Sequence, residues 1–188
     1  MAGRPKTRAE RLSPADIVAA ALEVLSADGV EGLTMRTLAT ELQVSIGAVY
    51  NHISGRDQLL DLVVEHILLQ VSTPSEPTED GWAVAYDYAM ATQAMLDQYP
   101  GLDTAVISRA TSSPVAHEMR RQLRAALERS GLGRAEAEAA DRAIGWLWLG
   151  SRVALGGRPQ RPIEAEQFRM ALVALIEGLQ AAVSEHAR

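Results

Sequence analysis

The chain contains no cysteine, which excludes structural disulfides, thiolate–zinc sites and cysteine nucleophiles. Aromatic residues make up only 4%. Lysine is nearly absent: Lys6 stands alone against seventeen arginines. With so much alanine, this reads as the codon bias of a GC-rich genome and not as function. The 14 glycines and 8 prolines are too few for a collagen-like or low-complexity chain. Apolar stretches such as residues 143–150 fall far short of a membrane span. The basic stretch 1–11 leads into no apolar signal core, so the expected location is the cytosol. What is present is ordinary: 188 residues, 47% hydrophobic and 22% charged. That length makes one or two domains and buries a core without a covalent staple.

The formal net charge of −6 argues mildly against a general nucleic-acid coat. The distribution says something different. Residues 1–11 carry Arg4, Lys6, Arg8 and Arg11 against Glu10 alone, and residues 34–56 carry Arg36 and Arg56 against Glu41. The local positive charge suits a small DNA contact surface better than a broad groove.

The pattern predicts an all-α chain. Ser13-Pro14 caps a helix in which Ile17, Ala21, Val24 and Leu25 recur at helical spacing, with Gly29 as a stop. Thr34 caps a short second helix carrying Leu38, Ala39 and Leu42. Ser45 caps a third, from Ile46 to about His52. Ser54 and Asp57 form a capping box for a fourth, whose apolar residues Leu59 to Leu68 fit a 3.6 period. Residues 72–80 are polar with two prolines and read as a linker. Beyond it, helices are expected over 81–98, 114–130, 135–155 and 163–183, with short turns near 100–110. No stretch alternates with period two long enough for a strand. The expected domains are a basic arm (1–12), a helix-turn-helix domain (13–56), a connecting helix (57–71) and a C-terminal helical domain (81–188).

Two short helices joined by about three residues have helix-turn-helix spacing. Leu38, Leu42, Val44 and Val49 point inward. Ile46, Gly47, Ala48, Tyr50, Asn51 and His52 point outward and form a low-bulk, neutral surface that fits a major groove about 12 Å wide. By spacing alone, a plain helical hairpin fits equally well. The run from Gly32 to Leu60, with Thr34-x-Arg36, Leu38-Ala39, Val44-Ser45, Val49-Tyr50-x-His52 and Leu59-Leu60 in register, resembles the tetracycline-repressor (TetR) family. The motif match covers about the first 70 residues; beyond it only the helical layout is shared. The resemblance implies a homodimeric, ligand-responsive regulator, commonly a repressor, on a palindromic operator. Gln43 replaces a frequent family glycine in the turn, and Arg56 a frequent lysine.

Carried over by position, Thr34, Ser45, Tyr50, His52 and Arg56 would meet phosphate. Arg36 would read a base, guanine through O6 and N7. Ile46 and Ala48 would meet thymine methyls, and Gly47 would let the backbone approach. Asn51 suits either adenine or a phosphate. Thr34 and Ser45 serve as helix caps in any case, and the basic arm is equally a solvated tail or a minor-groove contact.

Trp82, Tyr86, Tyr88, Met90, Met95, Tyr99, Met119, Trp146 and Trp148 concentrate in the C-terminal half. Together they suggest a pocket for a small apolar or aromatic effector, although each singly is equally core filler. The last two helices are apolar on more than one face, which asks for a second neighbour. A homodimer interface is expected on Ile144, Leu147, Ser151, Phe168, Leu172, Leu175, Ile176 and Leu179, with a small-residue stripe of Ala171, Ala174, Gly178 and Ala181 beside it.

No enzyme motif is complete. His117-Glu118 has no second zinc-ligating histidine at helical spacing, Gly131-Leu132-Gly133 follows a helix, and neither a P-loop nor a nucleophile elbow is present. No cofactor, metal site or membrane partner is expected. The alternative reading is a helical adaptor whose hairpin binds protein.

Overall fold

The computed structural model describes residues 12–71 and 80–186; the basic arm and most of the expected linker lie outside them. Among the described residues the chain is all-helical: α1 Pro14–Gly32, α2 Met35–Leu42, α3 Ile46–Tyr50, α4 Arg56–Val71, α5 Gly81–Asp97, α6 Asp103–Ala110, α7 Pro114–Arg129, α8 Arg134–Leu155 and α9 Pro162–His186. No described helix is long and apolar enough to cross a membrane.

The helix starts follow from short polar caps. The Ser13 hydroxyl accepts from the Asp16 amide at 3.2 Å, and the Asp16 carboxylate accepts from the Ser13 amide at 2.9 Å. At α4 the expected pairing with Asp57 is replaced: Gln58 Oε1 accepts from the Ser54 amide at 2.6 Å. A glutamine at that distance reaches back over the first turn, and Asp57 is left for a bond to another helix. Gly29 does not end α1. It takes φ 67° and kinks the helix, which runs one more turn to Gly32. The reason is a tertiary contact: the Val30 amide donates to the Pro100 carbonyl at 2.9 Å, and a Cβ at Gly29 would sit 2.9 Å from that same oxygen.

Two apolar cores result. The first joins α1–α4 to Leu96, Leu102, Val106, Ala116 and Met119, so the N-terminal helices are not packed as an isolated unit. The second gathers Trp82, Leu123, Leu127, Ile144, Phe168 and Leu172 from α5 and α7–α9. Where α5 meets α7 the backbones touch: a Cβ at Gly81 would lie 2.3 Å from the Ala126 carbonyl oxygen.

Polar links tie the two parts. On α6, Arg109 binds Asp61 at 2.6 Å and Asp57 at 3.3 Å, both on α4. Arg152 of α8 is 1% exposed and sits between Asp103 and Asp97, the latter at 2.8 Å. The Gly101 amide donates to the Gly157 carbonyl at 2.7 Å, which fastens the α5–α6 turn to the end of α8.

Candidate nucleic-acid interface

The starts of α2 and α3 are each capped by a side chain. The Thr34 hydroxyl accepts from the Thr37 amide at 3.1 Å. Thr37 accepts from the Thr34 amide at 2.9 Å and donates to the Gly32 carbonyl at 2.7 Å. The Ser45 hydroxyl accepts from the Ala48 amide at 3.2 Å. Between the helices, Gln43 takes the left-handed conformation (φ 56°, ψ 42°), which ends α2 and turns the chain into α3. A side chain there carries about 1 kcal/mol of strain that glycine would avoid. Leu38, Leu42 and Val49 are buried and fix the angle between α2 and α3.

On the outer surface Arg36, Ser45, Gly47, Asn51 and His52 are exposed. Ile46 is 45% exposed and Tyr50 51% exposed. Large apolar side chains left in water on a five-residue helix are the unusual feature here, since packing alone would turn them inward. The expectation for Ala48 needs correction. It is 8% exposed, covered by the packing of α3, and does not stand on the outer surface with Ile46, Gly47 and Tyr50. Arg56 has an internal role: its guanidinium donates to the Val30 carbonyl at 2.8 Å and the Leu33 carbonyl at 3.0 Å. It caps the end of α1, although its side chain remains exposed.

The expected effector residues divide between the cores. Met119 belongs to the first, with Met95 and Tyr99 packed against it. Trp82 belongs to the second, with Tyr86 and Met90 against it. Trp148 and Tyr88 pack against both. Trp146 does not join them. It is 66% exposed, because a two-residue step of about 200° puts it on the far side of α8 from Trp148. The interior is less apolar than its composition implies, since Thr92, Gln93, Asp103, Asp141 and Arg152 are all buried. Sequence reading missed the three charged ones, Asp103, Asp141 and Arg152, because their partners lie on helices far apart in the chain. Asp141, for example, is held by Arg120 at 3.1 Å and Arg124 at 3.7 Å.

The expected interface residues also divide. Ile144, Phe168, Leu172 and Ile176 are buried in the protomer's own second core, and Leu147, Leu175 and Leu179 pack partly against it. The Ser151 hydroxyl accepts from Gln93 at 3.1 Å, inside the protomer. Their stripe is therefore the one that holds α8 and α9 to the rest of the chain. The outward surface of the same helices carries Trp146, Val153, Ile163 and Met170, each more than half exposed, beside exposed Ala171, Ala174, Gly178 and Ala181.

Residues 17–63 match the family model described as bacterial regulatory proteins, tetR family. An HTH-type transcriptional regulator of Saccharopolyspora erythraea is 34% identical over 137 residues, covering 72% of this chain and 57% of that protein. The chain spans 57% of that relative's length and 37% of the length of a transcriptional repressor of Streptomyces coeruleorubidus. Among solved structures, Mycobacterium smegmatis BioQ is 30% identical over 90% of this chain and 98% of its own, with a TM-score of 0.69. BioQ with its natural double-stranded DNA operator is 32% identical, covers 90% of this chain and 99% of that one, and has a TM-score of 0.72. A TetR variant from Acinetobacter baumannii AYE in complex with minocycline is 25% identical, covers 91% and 98%, and has a TM-score of 0.76.

Proposed function

Because the chain belongs to the TetR family of bacterial regulatory proteins, we propose that it is a transcriptional repressor. It binds a palindromic operator as a homodimer and leaves it when a small, largely apolar or aromatic effector occupies the C-terminal helices. The observation that carries this reading is the capped α2–α3 pair with Arg36, Ile46 and Tyr50 directed at solvent. In the likeness to BioQ with its operator, the same fold holds DNA. The reading head occupies residues 13–56, α4 connects it, and residues 81–188 bind effector and partner subunit.

Arg36 reads a base edge in the major groove. Ile46 meets a thymine methyl, and Gly47 admits the backbone. Thr34, Ser45, Tyr50 and His52 hold phosphates, and Asn51 holds an adenine or a phosphate. Arg56 works from behind, by locking the end of α1 to the start of α4. Effector binding shifts α6, and Arg109 passes the shift to Asp57 and Asp61 of α4. Half-sites lie about 34 Å apart, so a small change in the spacing of two α3 helices prevents both from docking. A coupling of about 1–3 kcal/mol makes an effective switch, and operator must weaken effector by the same factor.

Arg36→Ala is expected to cost about 1–3 kcal/mol on the operator and to relax base preference at one position per half-site. Tyr50→Phe should weaken all sequences by a similar factor. Competition binding against single-base operator variants measures both. An Arg36→Ala protein with wild-type affinity and preference would place the base contact elsewhere.

A further inference from the structure

Tyr88 and Trp148 each pack against both apolar cores, so they mark the seam between the core that contains the reading head and the core that contains α8 and α9. The Trp148 indole nitrogen is sealed from solvent and has no hydrogen-bond partner among the described residues. Its neighbours on α8 are satisfied differently. The Trp148 peptide carbonyl accepts from the Ser151 hydroxyl at 2.7 Å, and Ser151 in turn accepts from Gln93 at 3.1 Å. The indole N–H is a donor only, and a buried donor without an acceptor is uncommon in a folded chain. At the same seam, burial raises the Tyr88 phenol above its ordinary pKa, and the Asp141 carboxylate raises it further. Tyr88 therefore stays neutral and keeps its O–H. The Asp141 carboxylate is held by Arg120 at 3.1 Å and Arg124 at 3.7 Å, both partly open to solvent.

We propose that the effector is an uncharged, planar molecule with a carbonyl oxygen, and that this oxygen accepts the Trp148 indole N–H at the seam between the two cores. The inference rests on the effector reading above and deepens it. A purely apolar ligand leaves the indole donor unpaired. A carboxylate must shed its water for a single neutral donor between apolar walls. A neutral ketone or lactone satisfies the donor and still fits apolar walls. Its place explains the coupling as well: a molecule wedged at this seam bears on α5 and α8 together, and so on the polar link from α6 to α4.

The test uses the full chain and three matched probes in isothermal calorimetry: 2-acetylnaphthalene, 2-isopropylnaphthalene and 2-naphthoate. The ketone should bind at least tenfold tighter than the hydrocarbon or the anion. Trp148→Phe keeps an aromatic ring and removes the donor. It should weaken the ketone about tenfold and leave the hydrocarbon within twofold, while Trp146→Phe, on the far side of α8, should change neither. Thermal unfolding by circular dichroism confirms that each variant is folded. If Trp148→Phe fails to fold, the ranking of the three probes on the unaltered chain still decides. Equal binding of ketone and hydrocarbon, or an equal loss of both in Trp148→Phe, would overturn the donor assignment and leave the effector site standing. Failure of all three probes to bind would overturn the effector reading itself, and this inference with it.

Discussion

Arg152→Met should destabilise the chain by about 3–5 kcal/mol, the cost of leaving a buried charge without its partner. Arg152 is 1% exposed and Asp103 is 3% exposed, and methionine fills similar volume without neutralising the carboxylate. Asp97 also loses its guanidinium partner, although it keeps the Gln160 amide at 3.0 Å. The pair holds α8 against the start of α6, so the loss falls on the joint between the two halves of the molecule. A double change, Arg152→Met with Asp103→Leu, removes both charges and should recover much of the loss. Urea unfolding of the two variants at one fixed protomer concentration measures this, because the stability of the proposed dimer depends on concentration. A single-variant cost below about 1 kcal/mol would mean that solvent reaches the pair and that the joint is held by apolar packing alone.

The second large effect concerns assembly. Ala174→Glu puts a charge on the outward stripe of α9, at a side chain exposed in the protomer. Folding should be intact, and sedimentation should show monomer at concentrations where the unaltered chain is dimeric. Operator affinity should then fall about 100- to 10,000-fold, because one reading head cannot exploit the second half-site. Ile176→Glu looks similar on a helical wheel but tests something else: Ile176 is 7% exposed inside the protomer, so that variant should unfold. A stable Ala174→Glu dimer would place the interface on another surface.

The contrast between Ala174 and Ile176 shows where sequence reading reaches its limit. Helical periodicity identified two apolar stripes on α9 correctly, but periodicity carries no information about which stripe meets the chain's own core. The larger residues filled that core, because a wide gap between helices is closed by bulk. The small residues were left outside, where a close approach is possible. In the reading head more was legible. Thr34 and Ser45 are caps with local, three-residue bonds, and local bonds are written in local sequence. Gln43 was marked as the turn residue and does take positive φ. Ala48 was misjudged because a five-residue helix has too few turns for the period to separate its faces. The bonds from Arg56 to Val30 and Leu33, and from Arg109 to Asp57 and Asp61, span 23 to 52 residues and leave no local pattern. The same holds for Arg152 with Asp103, two charges 49 positions apart that read singly as surface residues.

The proposed repression requires sequence-specific DNA binding by a two-fold pair of reading heads. Selecting genomic fragments on the immobilised full chain, then footprinting the enriched fragment across a range of salt, tests that most directly. The expected result is one palindromic site with half-sites about 10 base pairs apart centre to centre, and an affinity that falls steeply and log-linearly with salt as phosphate counterions are released. Fragments enriched no more than bulk DNA, or binding indifferent to salt, would contradict it and favour a helical adaptor that binds protein.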